Sequence, residues 1–197
     1  ARSAPYLKTN SKVILALDGD KVNATVQMDA TDIGTGSYTI VAQTTSEYLG
    51  IPVAQVTVQL GDSDFPPTPG SGGSWGAASF CNAAMAACEN AIKTLKQNRN
   101  IKEEEEVELT DLMKKNQLTK FEAEGSAGPS KEFDEHSVYS FGANFSEVWV
   151  DKDTGMFRIK RMVNVGAAGK ILNPKTAYGQ IIGGLTMGVG MAMAEQT

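Results

Sequence analysis

The sequence is short of the residues that usually announce a chemistry. It has one histidine, His136, and two cysteines, Cys81 and Cys88. Two cysteines are too few for a disulfide scaffold and have no zinc-ligand spacing. On one helix, their separation in sequence would hold them about 10 Å apart, beyond disulfide reach. His136 lies in a polar approach to a strand and reads as a surface residue. There is no basic stripe: the net charge is −5 and the pI about 5.0. A chain with this balance does not neutralise a phosphate backbone, so nucleic acid is excluded as an expected partner. There is no long hydrophobic run. The longest, Ile181 to Ala194, is broken by glycines and falls short of the roughly 20 apolar residues that span a bilayer. The first residues hold neither an initiator methionine nor an apolar signal core. With the abrupt end at Glu195-Gln196-Thr197, they suggest part of a longer chain. Neither a Walker sequence nor a G-x-G-x-x-G dinucleotide motif is present.

What remains is ordinary globular composition, 41% hydrophobic and 21% charged over 197 residues. A chain of this length buries about 70% of its unfolded surface, so a sizeable core is expected. The fold class read from periodicity is α+β: mixed strands and hairpins packed with glycine- and alanine-rich helices. Lys12 to Leu17, a turn at Asp18-Gly19-Asp20, and Lys21 to Met28 read as a β-hairpin. Ser37 to Leu49 reads as a helix closed by Gly50, and Val53 to Leu60 as a strand. A long loop, Gly61 to Gly76, precedes an alanine-rich helix over Ala77 to Lys96. Glu103 to Glu106 reads as a solvated segment. Leu109 to Gln117 reads as a short helix with Thr110 as cap, Leu118 to Glu124 as a strand, and Gly125 to Pro129 as a breaker. Val138 to Val150 and Met156 to Val165 form a second hairpin about the turn Asp151 to Gly155. Asn173 then caps, and Pro174 opens, a last helix to about Glu195. Its glycines at 179, 183, 184, 188 and 190 suggest a helix pressed against backbone or a ligand, and Met187, Met191 and Met193 read as core. The expected organisation is a first α+β unit over 1–100, an acidic connecting segment over 101–131, and a second hairpin–helix unit over 132–197.

Three helix starts carry glycine or lysine. They are Gly34-Thr35-Gly36 before the Ser37 helix, Gly72 to Ala78 before the alanine helix, and Lys170 to Thr176 before the last. Free N–H groups and the helix dipole favour an anion at such places, and glycine lets it approach the backbone. One such start is an ordinary turn more often than a site; three in one acidic chain are more suggestive. Trp75 reads equally as a wall of a site or an anchor of its loop, Cys81 as a small buried residue, and Asp62 and Asp64 as solvated loop.

Thr31-Asp32-Ile33-Gly34-Thr35-Gly36, the segment Gly72 to Ser79, and Asn173-Pro174 followed by Gly179-Gln180-Ile181-Ile182-Gly183-Gly184 carry a resemblance. In order and approximate spacing they resemble successive motifs of the molybdenum-binding large subunit of the xanthine dehydrogenase and aldehyde oxidase family. Ser146-Glu147-Val148 and the turn Asp151 to Gly155 also fit. Gly34-Thr35-Gly36 with Ser71-Gly72-Gly73-Ser74 is most similar to bacterial aldehyde-oxidising members. The resemblance implies an oxidoreductase that oxidises aldehydes to acids, or hydroxylates a heterocycle such as a purine, with water as oxygen source. It implies a molybdenum–molybdopterin cofactor, in the cytosine dinucleotide form common in bacteria, with FAD and [2Fe-2S] clusters on partner chains. The other implied partner is the remainder of the large subunit, and the implied location is bacterial cytoplasm or periplasm. By the same resemblance the cofactor contacts are Gly34 and Thr35; Ala77, Ala78 and Ser79, with Asn82 and Ala83 one turn on; and Lys170, Ile171, Leu172, Asn173, Pro174, Lys175, Thr176 and Gln180 at the phosphate or nucleotide end. Many members carry Gln where Thr35 stands. No residue here matches the family's general-base Glu, which is expected beyond Thr197, and no direct metal ligand is expected. The alternatives from other classes are a non-catalytic α+β anion-binding module and an interaction domain whose glycines serve only helix packing.

Overall fold

A computed structural model describes residues 7–129, 132–137 and 139–195. Its packing divides into two compact units between His136 and Ser137. The architecture is mixed α+β, as the periodicity predicts.

The first unit is a four-stranded sheet with helices on one face. Its strands are β1 (Thr9–Asp18), β2 (Lys21–Met28), β3 (Val56–Leu60) and β4 (Lys120–Ala127), in the order β3-β2-β1-β4. The helices are α1 (Ser37–Leu49), α2 (Gly76–Gln97) and α3 (Leu109–Lys115). β1 and β2 pair antiparallel, with Asp18 opposite Lys21 and Gly19 (φ 57°) supplying the left-handed conformation that a two-residue turn needs. Period-two alternation puts Val13 and Leu15 of β1 and Val22, Ala24, Val26 and Met28 of β2 on the buried face. Lys12, Gln27 and Glu122 fall on the other. The covering face of α1 is Ile40, Val41, Thr44, Thr45 and Leu49, and Gly50 (φ 67°) closes the helix by donating its N–H to Ser46 O. α2 turns Phe80, Ala83, Ala84, Ala87, Ala91 and Leu95 inward. Its alanines bring the helix backbone close to the sheet.

That closeness corrects one expectation. Gly125 does not break a strand; β4 runs through it to Ala127, pairing with β1 with Ser11 opposite Gly125. A Cβ on Gly125 would lie 2.1 Å from Ala87 N and 2.5 Å from Ala86 C. The glycine is there because α2 crosses β4 at that point, and Asn90 adds a bond from its side-chain amide to Glu124 O at 2.9 Å. Two smaller differences are local. Val53–Gln55 forms a 3-10 turn ahead of β3. α3 starts at Leu109, so Thr110 lies inside its first turn; Glu108 is the cap position and makes no side-chain cap bond.

The segment 101–131, expected as a connection, contributes α3 and β4 to the first unit. Leu109, Leu112 and Met113 are buried, and β4 is an edge of the sheet. The four glutamates lie on an exposed loop whose backbone is held from beneath. Lys96, 9% exposed, donates to Glu103 O and Glu105 O, both at 2.7 Å.

The second unit holds the short helix α4's successor elements: after α4 (Glu132–Glu135), which closes the first unit, come β5 (Phe141–Val150), β6 (Phe157–Ala167) and α5 (Pro174–Met193). β5 and β6 form an antiparallel ribbon with a bulge at Glu147/Val148. Val138, the expected start of β5, lies outside the described residues. The turn is fixed by Asp151, whose carboxylate accepts from Asp153 N at 3.0 Å and Thr154 N at 2.9 Å, while Gly155 (φ 70°) donates to Asp151 O. None of the described residues of this unit is buried. Met187, Met191 and Met193, expected in a core, are 69%, 50% and 46% exposed. Nor are the α5 glycines pressed against anything within the described residues: a Cβ at Gly179, Gly183, Gly184 or Gly188 would meet no atom within 4 Å. The described residues supply no second layer over this helix.

Candidate functional site

β2 and β3 run parallel, joined by α1. The loop after β2, Asp29 to Gly36, and the loop after β3, Gly61 to Trp75, therefore leave the same edge of the sheet. In open sheets with parallel strands, ligands bind at the carboxyl ends of the strands. The two loops are also fastened together. Asp29 N donates to Pro66 O at 2.9 Å, Ser71 Oγ donates to Thr31 O at 2.7 Å, and Thr68 Oγ1 donates to Asp29 O. Neither Ser71 nor Thr68 was singled out for this role by the sequence motifs, and nothing local in the sequence signals a bond that spans 40 residues.

The first loop is closed by its own acid. Asp32 Oδ1 accepts from Gly34 N at 2.8 Å and Gly36 N at 3.3 Å, and Oδ2 accepts from Tyr38 N at 3.4 Å. Thr35 Oγ1 lies 3.4 Å from Oδ1. Burial pushes the Asp32 pKa up, but the amides of Gly34, Gly36, Tyr38 and Ser37 outweigh it and hold the carboxyl below its usual range. Gly34 (φ 96°) and Gly36 (φ 83°) supply the left-handed backbone that lets these amides converge. The start of α1, read above as ready for an outside anion, already contains one. An aspartate two residues ahead of a glycine is the signal for such a turn. Gly34 and Thr35 are both exposed.

The second loop ends at an open helix start. Trp75 anchors it: the indole N–H donates to Gly70 O at 2.7 Å, and the ring lies over Gly72 and Gly73. Ser79 N makes the first helical bond, to Trp75 O at 3.0 Å. The amides of Gly76, Ala77 and Ala78 precede it, with no side-chain cap and no acidic residue in the first turn. Ala77 and Ala78 are exposed and Asn82 is half-buried. Ser79 and Ala83 are fully buried against the sheet, and the Ser79 hydroxyl accepts from Leu7 N at 3.0 Å. Cys81 and Cys88 are free and buried on the same helix. Burial raises both thiols, that of Cys88 to about 12, which leaves them protonated and unreactive.

The third stretch belongs to the second unit. Asn173 Oδ1 accepts from Lys175 N at 3.1 Å and Thr176 N at 3.4 Å, and Thr176 Oγ1 donates to Asn173 O at 3.2 Å. The cap read from Asn173-Pro174 is present, and it takes the free amides of α5. Lys170, Ile171, Pro174, Lys175, Thr176 and Gln180 are exposed, and Leu172 and Asn173 are half-exposed. What this stretch offers an anion is the charge of its lysines and the Thr176 and Gln180 side chains. His136 is exposed. Asp62 accepts from Asp64 N at 3.0 Å in an exposed turn, and among the described residues no group of His, Cys, Asp and Glu could hold a metal ion. No helix among the described residues is long and apolar enough to cross a membrane.

Residues 3–197 match the profile of the family described as molybdopterin cofactor-binding domain. The chain is 42% identical to the aldehyde oxidoreductase molybdenum-binding subunit PaoC of Escherichia coli (strain K12), over 96% of this chain and 27% of that protein. It is 28% identical to the 6-hydroxypseudooxynicotine dehydrogenase complex subunit gamma of Paenarthrobacter nicotinovorans, over 87% of this chain and 25% of that one. Among solved structures, the reconstituted CO dehydrogenase from Oligotropha carboxidovorans superposes with a TM-score of 0.75 at 22% identity, covering 97% of this chain and 26% of that one. That likeness speaks for the fold. The chain thus spans about a quarter of the length of the relatives it matches. With the profile matching nearly from end to end, this chain belongs to the molybdopterin cofactor-binding domain family.

Proposed function

We propose that the chain is part of the large subunit of a molybdenum-dependent oxidoreductase that oxidises aldehydes to acids, and that its share of the work is to hold the cofactor. The observation that carries this reading is the uncapped start of α2, which sits beside a fastened glycine loop at the carboxyl ends of two parallel strands. Its donor chemistry suits the anionic part of a molybdopterin, because free amides at a helix start favour negative charge. The aldehyde substrate is favoured by the 42% identity to an aldehyde oxidoreductase subunit.

On this reading the bound molybdenum–pterin group supplies two-electron oxidation with water as the source of oxygen. The chain's own residues bind and orient. The amides of Ala77 and Ala78 and the side chain of Asn82 face the ligand. Ser79 and Ala83 act from behind, setting how closely α2 lies on the sheet. Gly34 and Thr35 form a second wall. Lys170 to Thr176, with Gln180, receive the nucleotide end, taken to be the cytosine dinucleotide form, through side-chain charge. Asn173 and Pro174 keep α5 started at the right residue. No residue of this chain is assigned proton transfer, since a general base must reach the proton it takes. Iron–sulfur and FAD groups on partner chains would take up the electrons, and the exposed apolar side chains of β5, β6 and α5 are assigned to the rest of the same subunit.

The test is metal analysis and chromatography of the released nucleotide on the full-length assembly, together with turnover of an aldehyde. Molybdenum, cytidine nucleotide and aldehyde oxidation are expected. An active assembly that contains neither molybdenum nor a pterin would sink the proposal.

A further inference from the structure

We draw no further inference here: the strongest candidate, the open groove of about 590 Å³ on the sheet face away from the helices, lined by Lys12, Gln27, Asp64 and Glu124, carries charges of both signs, and nothing in the structure shows what covers it.

Discussion

Gly125 shows how much a single hydrogen in place of a methyl group can decide. The position its Cβ would take is 2.1 Å from a backbone nitrogen of α2, and backbone cannot rotate away as a long side chain can. Gly125→Ala is expected to cost about 3 kcal/mol, the upper part of the range for overpacking, measured as a shift of the urea midpoint. A second residue-scale prediction concerns acid. Glu122 lies between Lys12 at 2.5 Å and Lys120 at 2.7 Å. Hydrogen bonds first from Lys12 and then from Lys120 hold its carboxyl down at about 2, against an ordinary value of 4.5. Because the folded value lies below the unfolded one, the stabilisation is complete above pH 4.5 and is lost as pH falls toward 2. The pair is exposed, so the effect is small. The difference in urea midpoint between the unmodified chain and Glu122→Gln should close across that window and stay constant above it.

At the scale of elements, the three glycine- or lysine-bearing helix starts differ in a way their sequences only half disclose. α1 is held by Asp32 and α5 by Asn173, while α2 has no cap. The Asn173 cap was legible because cap and helix are neighbours and Pro174 marks the boundary. The strand alternation of β1 and β2 and the closing Gly50 were legible for the same reason. Gly125 was misread because a glycine that ends a strand and a glycine that admits a crossing helix look alike until the helix is placed. The methionines of α5 are exposed among the described residues, and apolar side chains at helical spacing say that a face is to be covered and not by what. Of the candidate contacts, the sequence motifs marked Ser79 and Ala83 beside Ala77 and Ala78, and only the turn of the helix separates the buried pair from the exposed one. The open start of α2 yields a prediction with two opposed readouts. Ala78→Asp places a carboxylate in the first turn, where it should stabilise the helix by about 0.3–1 kcal/mol. The same charge should exclude an anionic cofactor, so molybdenum content should fall while thermal stability holds or rises. Loss of both would mean the substitution merely damages the fold.

For the whole molecule, the core belongs to one unit. Every buried hydrophobic residue of the described chain lies between Val13 and Met113. A ribbon of two strands with one helix, and none of its described residues buried, lacks what a stable domain needs. Expressed separately, residues 4–136 should unfold cooperatively in urea, and residues 137–197 should give the circular dichroism of a largely unstructured or aggregating peptide. A cooperative transition in the second piece would show that it holds itself together.

The hydrogen bond from Ser71 to Thr31 closes a circuit of 40 residues that passes through α1 and β3. A clasp at one end of such a circuit frees the other. At the far side of α1, Ile51 is buried and bonded to Ser46, and past it Pro52, Val53 and Ala54 are exposed at the 3-10 turn before β3. Chain length can drift there without disturbing the two loops, since their mutual position is written in the clasp and in the strand pairing and not in the path between them. In a lineage of such domains, insertions and deletions should accumulate around residues 52–54, while the spacing from Asp32 to Tyr38 and the partners of Ser71 stay put.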